Sequence, residues 1–170
     1  VKSRPSAIAI VSICAYPSNS SLILKDISPL NRQRYAAKHG YDAIVLYHHP
    51  LGADSTVSVQ HSKLELMRSL VDSRKYQWIM WTDCDSIIVN TSRQLESIIA
   101  EYVISDHVDL LITEELLGLS SANWLIRSSD WSSQFLRKAF RIASEELPLF
   151  GDQDAIISLA IGRGSLDPHI

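Results

Sequence analysis

Two aspartates flank a cysteine in Asp83-Cys84-Asp85, just past the apolar run Trp78-Ile79-Met80-Trp81 and Thr82. Carboxylates one residue apart converge on a single ion where the backbone turns between them, and their hard oxygens suit Mg²⁺ or Mn²⁺. A cation held there can bridge two phosphates and take up charge as a diphosphate departs. An Asx-turn or a solvated loop uses the same residue types without a ligand. A second polar cluster, Gly151-Asp152-Gln153-Asp154, opens an apolar segment. Asp152 is placed to cap a helix. In a site, Asp152 or Gln153 would stabilise positive charge developing on a substrate. Lys63, two residues after His61, is either a point charge for a phosphate or one more lysine on a helix surface.

Those residues need elements to carry them. Residues 7–14 are short, almost wholly apolar and rich in β-branched side chains, the pattern of a strand buried on both faces. A helix is predicted over roughly 28–39, with Pro29 in its first turn and Gly40 just past its end. A strand over 41–47 follows, then a helix over 59–73 whose Leu64, Met67, Leu70 and Val71 share one face. The strand over 76–81 runs into an acidic turn at 82–86, and Ile87-Ile88-Val89 resumes extended structure. A helix over 92–101 and strands over 108–113 and 124–127 come next. Ser129 or Asp130 caps a helix over 131–144, and a last helix covers 152–161. Alternating strands and helices predict a mostly parallel sheet covered on both faces. The acidic triplet then falls at the carboxyl edge of a strand, where open α/β sheets bind ligands.

A chain of 170 residues suits one domain spanning 1–170. Apolar residues at 46% against 21% charged exclude a disordered chain. A net charge of −3 and a pI near 6.1 exclude the basic footprint of a nucleic-acid binder. No apolar stretch reaches the roughly 20 residues of a membrane span, and no signal peptide is visible. Cys14 and Cys84 lie in strand-like runs without Cys-x-x-Cys spacing and read as buried free thiols in preference to a disulfide or a metal role. His39, His48, His49, His107 and His169 show no pairing at ligand spacing and read as surface or loop residues. No Gly-rich phosphate loop and no Ser-His-Asp or Cys-His constellation can be assembled. The first residue is Val1, as in an excised domain. A sheet of this type usually continues beyond Gly162-Arg163-Gly164, so C-terminal elements are expected to be missing.

Several blocks in order resemble one family. They are residues 31–41 (Asn-Arg-Gln-Arg-Tyr-Ala-Ala-Lys-His-Gly-Tyr), His61-Ser62-Lys63, residues 78–90 around the acidic triplet, Gly118-Leu119, Trp124-Leu125-Ile126-Arg127, Trp131-Ser132 and Asp152-Gln153-Asp154-Ala155. Together they resemble the galactosyl/mannosyl/xylosyl-transferase family, glycosyltransferase family 34, over nearly the whole chain. The resemblance implies a GT-A fold, a Rossmann-like α/β/α sandwich. It implies a retaining, metal-dependent transfer, usually with Mn²⁺, from a nucleotide sugar to a glycan acceptor. Asp83 and Asp85 would match the metal-binding motif, with Cys84 and Lys63 beside the donor. Asp152 and Gln153 would match the acidic-Gln pair near the anomeric carbon. Members are usually type II membrane proteins of the Golgi with a lumenal catalytic domain, which implies an anchor upstream. Two features depart from the family pattern. Ser120-Ser121-Ala122-Asn123 stands where Asn-Thr-Gly is usual, and the later segment whose His completes the metal site is not found. Two other readings compete. One is a haloacid-dehalogenase-like phosphatase with Asp83 as nucleophile. The other is a non-catalytic relative that binds a nucleotide without turnover.

Overall fold

The computed structural model describes residues 7–116, 118–146, 149, 151–162 and 165–170. The elements run β1 (Ile8–Ile13), α1 (Leu24–His39), β2 (Asp42–Leu46), α2 (Val59–Asp72), β3 (Trp78–Thr82), α3 (Leu95–Tyr102), β4 (Leu110–Glu115), β5 (Gly118–Arg127), α4 (Asp130–Arg141) and α5 (Asp152–Ala160). A π-helical turn, Ile142–Glu146, extends α4. The strands form one sheet in the order β2-β1-β3-β5-β4. β1 pairs parallel with β2 and β3, while β5 runs antiparallel to both β3 and β4. Four strands therefore point one way and β5 points the other.

Alternation along β1 builds two cores. Ala9, Val11 and Ile13 face one side and pack with Leu64, Met67 and Val71 of α2, Leu136 and Ala139 of α4, and Ile156 of α5. Ile8 and Ile10 face the other side and meet Tyr35 and Ala36 of α1 and Leu95 of α3. Successive side chains of a strand point to opposite faces, so an all-apolar strand needs cover on both. The result is the expected α/β/α sandwich.

Several boundaries differ from expectation. α1 begins at Leu24, so Pro29 lies inside the helix, where its missing N–H removes one backbone bond. Gly40 takes the left-handed conformation (φ 75°) that ends α1. Ile87-Ile88-Val89 joins no strand; both backbone polar groups of Ile88 bond instead to the Asn31 side chain. β5 starts at Gly118 and is far longer than the expected 124–127, because it is the second arm of a hairpin with β4. Ser129, not Asp130, caps α4 by accepting from the Ser132 N–H.

The cysteines are a correction. Cys14 and Cys84 form a disulfide and are not free thiols. Their pairing follows from sheet register. Val11 stands opposite Trp81 in the β1–β3 ladder, and each cysteine lies three residues further on, at the same level. Read one run at a time, the sequence hides that β1 and β3 are neighbours.

Candidate active site

The carboxyl ends of β1 and β3, the first turns of α2 and α5, and one stretch of β5 surround a cavity of about 620 Å³. That volume lies within the usual range for small-ligand sites. β1 contributes its exit residues Ala15 and Tyr16, and the turn after β3 contributes Asp83, Cys84 and Asp85. α2 brings His61 and Lys63, β5 brings Ser121, and α5 brings Asp152 and Gln153. All six residues singled out from the sequence, Lys63, Asp83, Cys84, Asp85, Asp152 and Gln153, thus line one cavity.

Lys63 is the pivot. It is only 4% exposed. Its Nζ lies 2.5 Å from Asp152 Oδ2 and 3.6 Å from Asp83 Oδ1, and it donates to the Ser121 carbonyl at 3.0 Å. A surface lysine does not fit this placement. The charge ties three chain segments together. Asp152 is 5% exposed and is the first residue of α5. Gly151 holds the capping position (φ 58°), so capping is not what Asp152 does.

The acidic turn is unequal. Asp85 is exposed and Asp83 is half-buried. Asp83 Oδ1 accepts from the Trp81 indole N–H at 2.7 Å. Burial pushes the Asp83 carboxyl up, Lys63 and the Trp81 bond hold it down, and Asp152 and Asp85 push it up again. A carboxylate crowded in this way gains from a cation. Two carboxylates with hard oxygens, leaving room for water and phosphate oxygens, suit Mg²⁺ or Mn²⁺, which usually take one or two protein carboxylates. Among the described residues no third Asp, Glu, His or Cys joins them in a cluster. Cys84 contributes backbone only, since its sulfur is committed to Cys14. Gln153 is partly exposed, and its carboxamide donates to Glu115 of β4 at 3.4 Å.

The sequence reading missed four residues. Tyr16 lines the mouth, and burial followed by the nearby Asp85 and Asp83 charges raises its hydroxyl pKa. His61 stands against Gly151: a Cβ there would fall 2.6 Å from its Nε2. Ser121 anchors Lys63. Arg32, in α1, is 1% exposed and lies behind the acidic turn. Arg32 and His61 had a sequence signal, as parts of the 31–41 and 61–63 blocks, and Ser121 lies in the 120–123 stretch that departs from the family pattern.

Residues 7–105, more than half of the chain, match the galactosyl transferase GMA12/MNN10 family. The probable alpha-1,6-mannosyltransferase MNN10 of Saccharomyces cerevisiae is 25% identical over 146 residues, covering 66% of this chain. This chain spans about a third of that relative's length (35%). Among solved structures, a glycosyltransferase involved in glycosylation of the major capsid of PBCV-1 superposes with a TM-score of 0.71 at 12% identity. The match covers 89% of this chain and 74% of the other. At that identity the likeness shows the fold, which is GT-A.

Proposed function

The chain belongs to the galactosyl transferase GMA12/MNN10 family, and we propose on that basis that it carries the donor site of a retaining glycosyltransferase using a nucleotide sugar. The observation that carries the proposal is the Lys63 bridge. It draws Asp83, from the acidic turn, and Asp152, from the first turn of α5, to one ammonium in one cavity. A diphosphate end and a sugar end would then lie within a single donor-sized space.

Asp83 and Asp85 would hold a divalent ion, whose chemistry is to neutralise a diphosphate and its departure. Asp85, the more exposed of the two, lines the cavity, while the Trp81 bond fixes Asp83. Lys63 keeps Asp152 in place in the first turn of α5. Asp152 and the Gln153 carboxamide are assigned to the sugar end, where fixed negative and dipolar groups would stabilise positive charge at the anomeric carbon. The Asp83 nucleophile of a phosphatase finds no support in a carboxylate bound by Trp81 and crowded by Lys63. A lumenal Golgi location fits the disulfide, since such bonds persist in oxidising compartments. No helix among the described residues is long and apolar enough to cross a membrane, so any anchor would lie outside them.

The test is a thermal-shift panel of UDP-galactose, UDP-xylose and GDP-mannose with and without Mn²⁺. A ligand present at about 100 times its Kd stabilises the folded state by about 2.7 kcal/mol. One member of the panel should raise the melting temperature only with Mn²⁺, and Asp83→Ala and Asp85→Ala should abolish the shift. Both variants retaining the wild-type shift would sink the proposal. Metal-dependent hydrolysis of the same nucleotide sugar separates an enzyme from a binding-only relative.

A further inference from the structure

Arg32 is expensive to keep. It is a buried guanidinium whose Nη2 hydrogen bonds go to carbonyl and hydroxyl oxygens, not to a carboxylate. Its Nε and Nη1 are buried without a hydrogen-bond partner. Burial lowers its pKa to about 10 against the opposing pull of Asp83 and Asp85. A buried donor left unmet costs on the order of 1–3 kcal/mol. A stability argument alone would favour an apolar side chain here.

What Arg32 does hold is the backbone of the acidic turn. Its Nη2 donates to the carbonyl of Asp83, to the carbonyl of Ser86 at 3.1 Å and to Thr82 Oγ1 at 3.4 Å. It acts within a row on one face of α1. Ser28 donates to the Cys84 carbonyl. Asn31 donates to the Ile88 carbonyl at 3.0 Å and accepts the Ile88 N–H at 2.9 Å, and Tyr35 donates to the Arg93 carbonyl at 2.6 Å. Residues at these helical spacings share one face and meet the segment after β3 in register. That segment makes no strand of its own, so α1 supplies the partners its backbone would otherwise lack.

The geometry points to Arg32 as a positioning residue. It fixes the turn that presents Asp83 and Asp85, and so sets how tightly that pair binds a divalent ion. The inference rests on the donor-site reading above and extends it to a residue outside the cavity. Two effects of the charge can be told apart by sign. A nearby guanidinium repels a cation, so removing the charge alone would tighten metal binding. Losing the bonds to Asp83 and Ser86 would loosen the turn and weaken it.

The experiment compares wild type, Arg32→Met and Arg32→Lys. Lysine keeps the charge but lacks the guanidinium's forked donors. Hydrogen exchange read by mass spectrometry should speed up in peptides covering residues 82–90 of Arg32→Met, with peptides from β2 and α4 unchanged. Arg32→Lys should fall between, and it carries the measurement where Arg32→Met does not fold. The Mn²⁺ concentration giving half of the nucleotide-dependent thermal shift should rise at least tenfold in Arg32→Met. Unchanged exchange at 82–90, or an equal rise across the whole chain, overturns the positioning role. So does tighter Mn²⁺ binding in Arg32→Met. A wild-type protein without a Mn²⁺-dependent shift would defeat the donor-site reading instead, and the exchange comparison would still decide whether Arg32 holds the turn.

Discussion

Lys63 concentrates the physics of the site in one side chain. An ion pair buried this deeply gives little net stability against an apolar alternative, yet removing one partner is severe because the other charge is left uncompensated. Lys63→Met would leave Asp152, itself only 5% exposed, without its ion-pair partner and take from Asp83 the ammonium 3.6 Å away. The expected loss is about 3 kcal/mol, toward the low end for a broken buried pair because Asp83 keeps some contact with water. For a chain of this size that lowers the melting temperature by about 6–12 °C. Lys63→Met/Asp152→Asn should lose less than the sum of its two single variants, since one partner's removal already forfeits the pair. A fully additive cycle in urea titrations would show that the 2.5 Å contact stabilises nothing. The residue also marks a limit of reading by sequence. Lysine type and helical position are visible in His61-Ser62-Lys63, but burial is set by Asp152, which arrives from α5 through the fold.

At the scale of elements, the first turn of α5 depends on how the chain enters it. Gly151 has φ 58° and ψ −119°, a conformation open essentially to glycine. Any Cβ there would also collide with the His61 ring. Gly151→Ala should therefore cost about 1–3 kcal/mol through backbone strain, and it should push His61 out of its place in the cavity wall. Gly162→Ala serves as the control. It meets nothing within 4 Å and should change stability by no more than about 0.5 kcal/mol. Equal urea midpoints for the two variants would mean that the approach to α5 is not constrained. Elements that carry their own pattern were legible: β1 by its apolar run, α2 by its one-sided face, and the end of α1 by Gly40. β5 was legible only over Trp124–Arg127. Its earlier half, Ser120-Ser121-Ala122-Asn123, has no strand composition and sits where the β4–β5 register shifts, tied to the end of β3 by the Thr82–Asn123 pairing and by the Asp83 N–H donating to the Ala122 carbonyl. That half carries Ser121 to Lys63, so part of the site was hidden in the part of the fold imposed by partners.

Across the whole molecule, the Cys14–Cys84 bond joins the ends of β1 and β3 across a sequence separation of 70. A crosslink of that span restricts the unfolded chain by about 4 kcal/mol in the chain-entropy account. Cys84 also stands between the two carboxylates of the acidic turn, so the bond fixes that turn from the β1 side while α1 holds its backbone from the other. Reduction should act on both levels. With thiol titration verifying two free cysteines, the reduced protein should melt about 8–16 °C below the oxidised one. If the proposed donor site holds, the reduced protein should also need more Mn²⁺ for the nucleotide-dependent shift. Cys14→Ala/Cys84→Ala should reproduce both changes and be indifferent to reductant, which separates the bond from any wider effect of the reagent. A reduced protein with the melting temperature and Mn²⁺ requirement of the oxidised form would mean that sheet packing alone holds the ends of β1 and β3 together. The Lys63 bridge and the bonds from α1 would then be sufficient to shape the cavity.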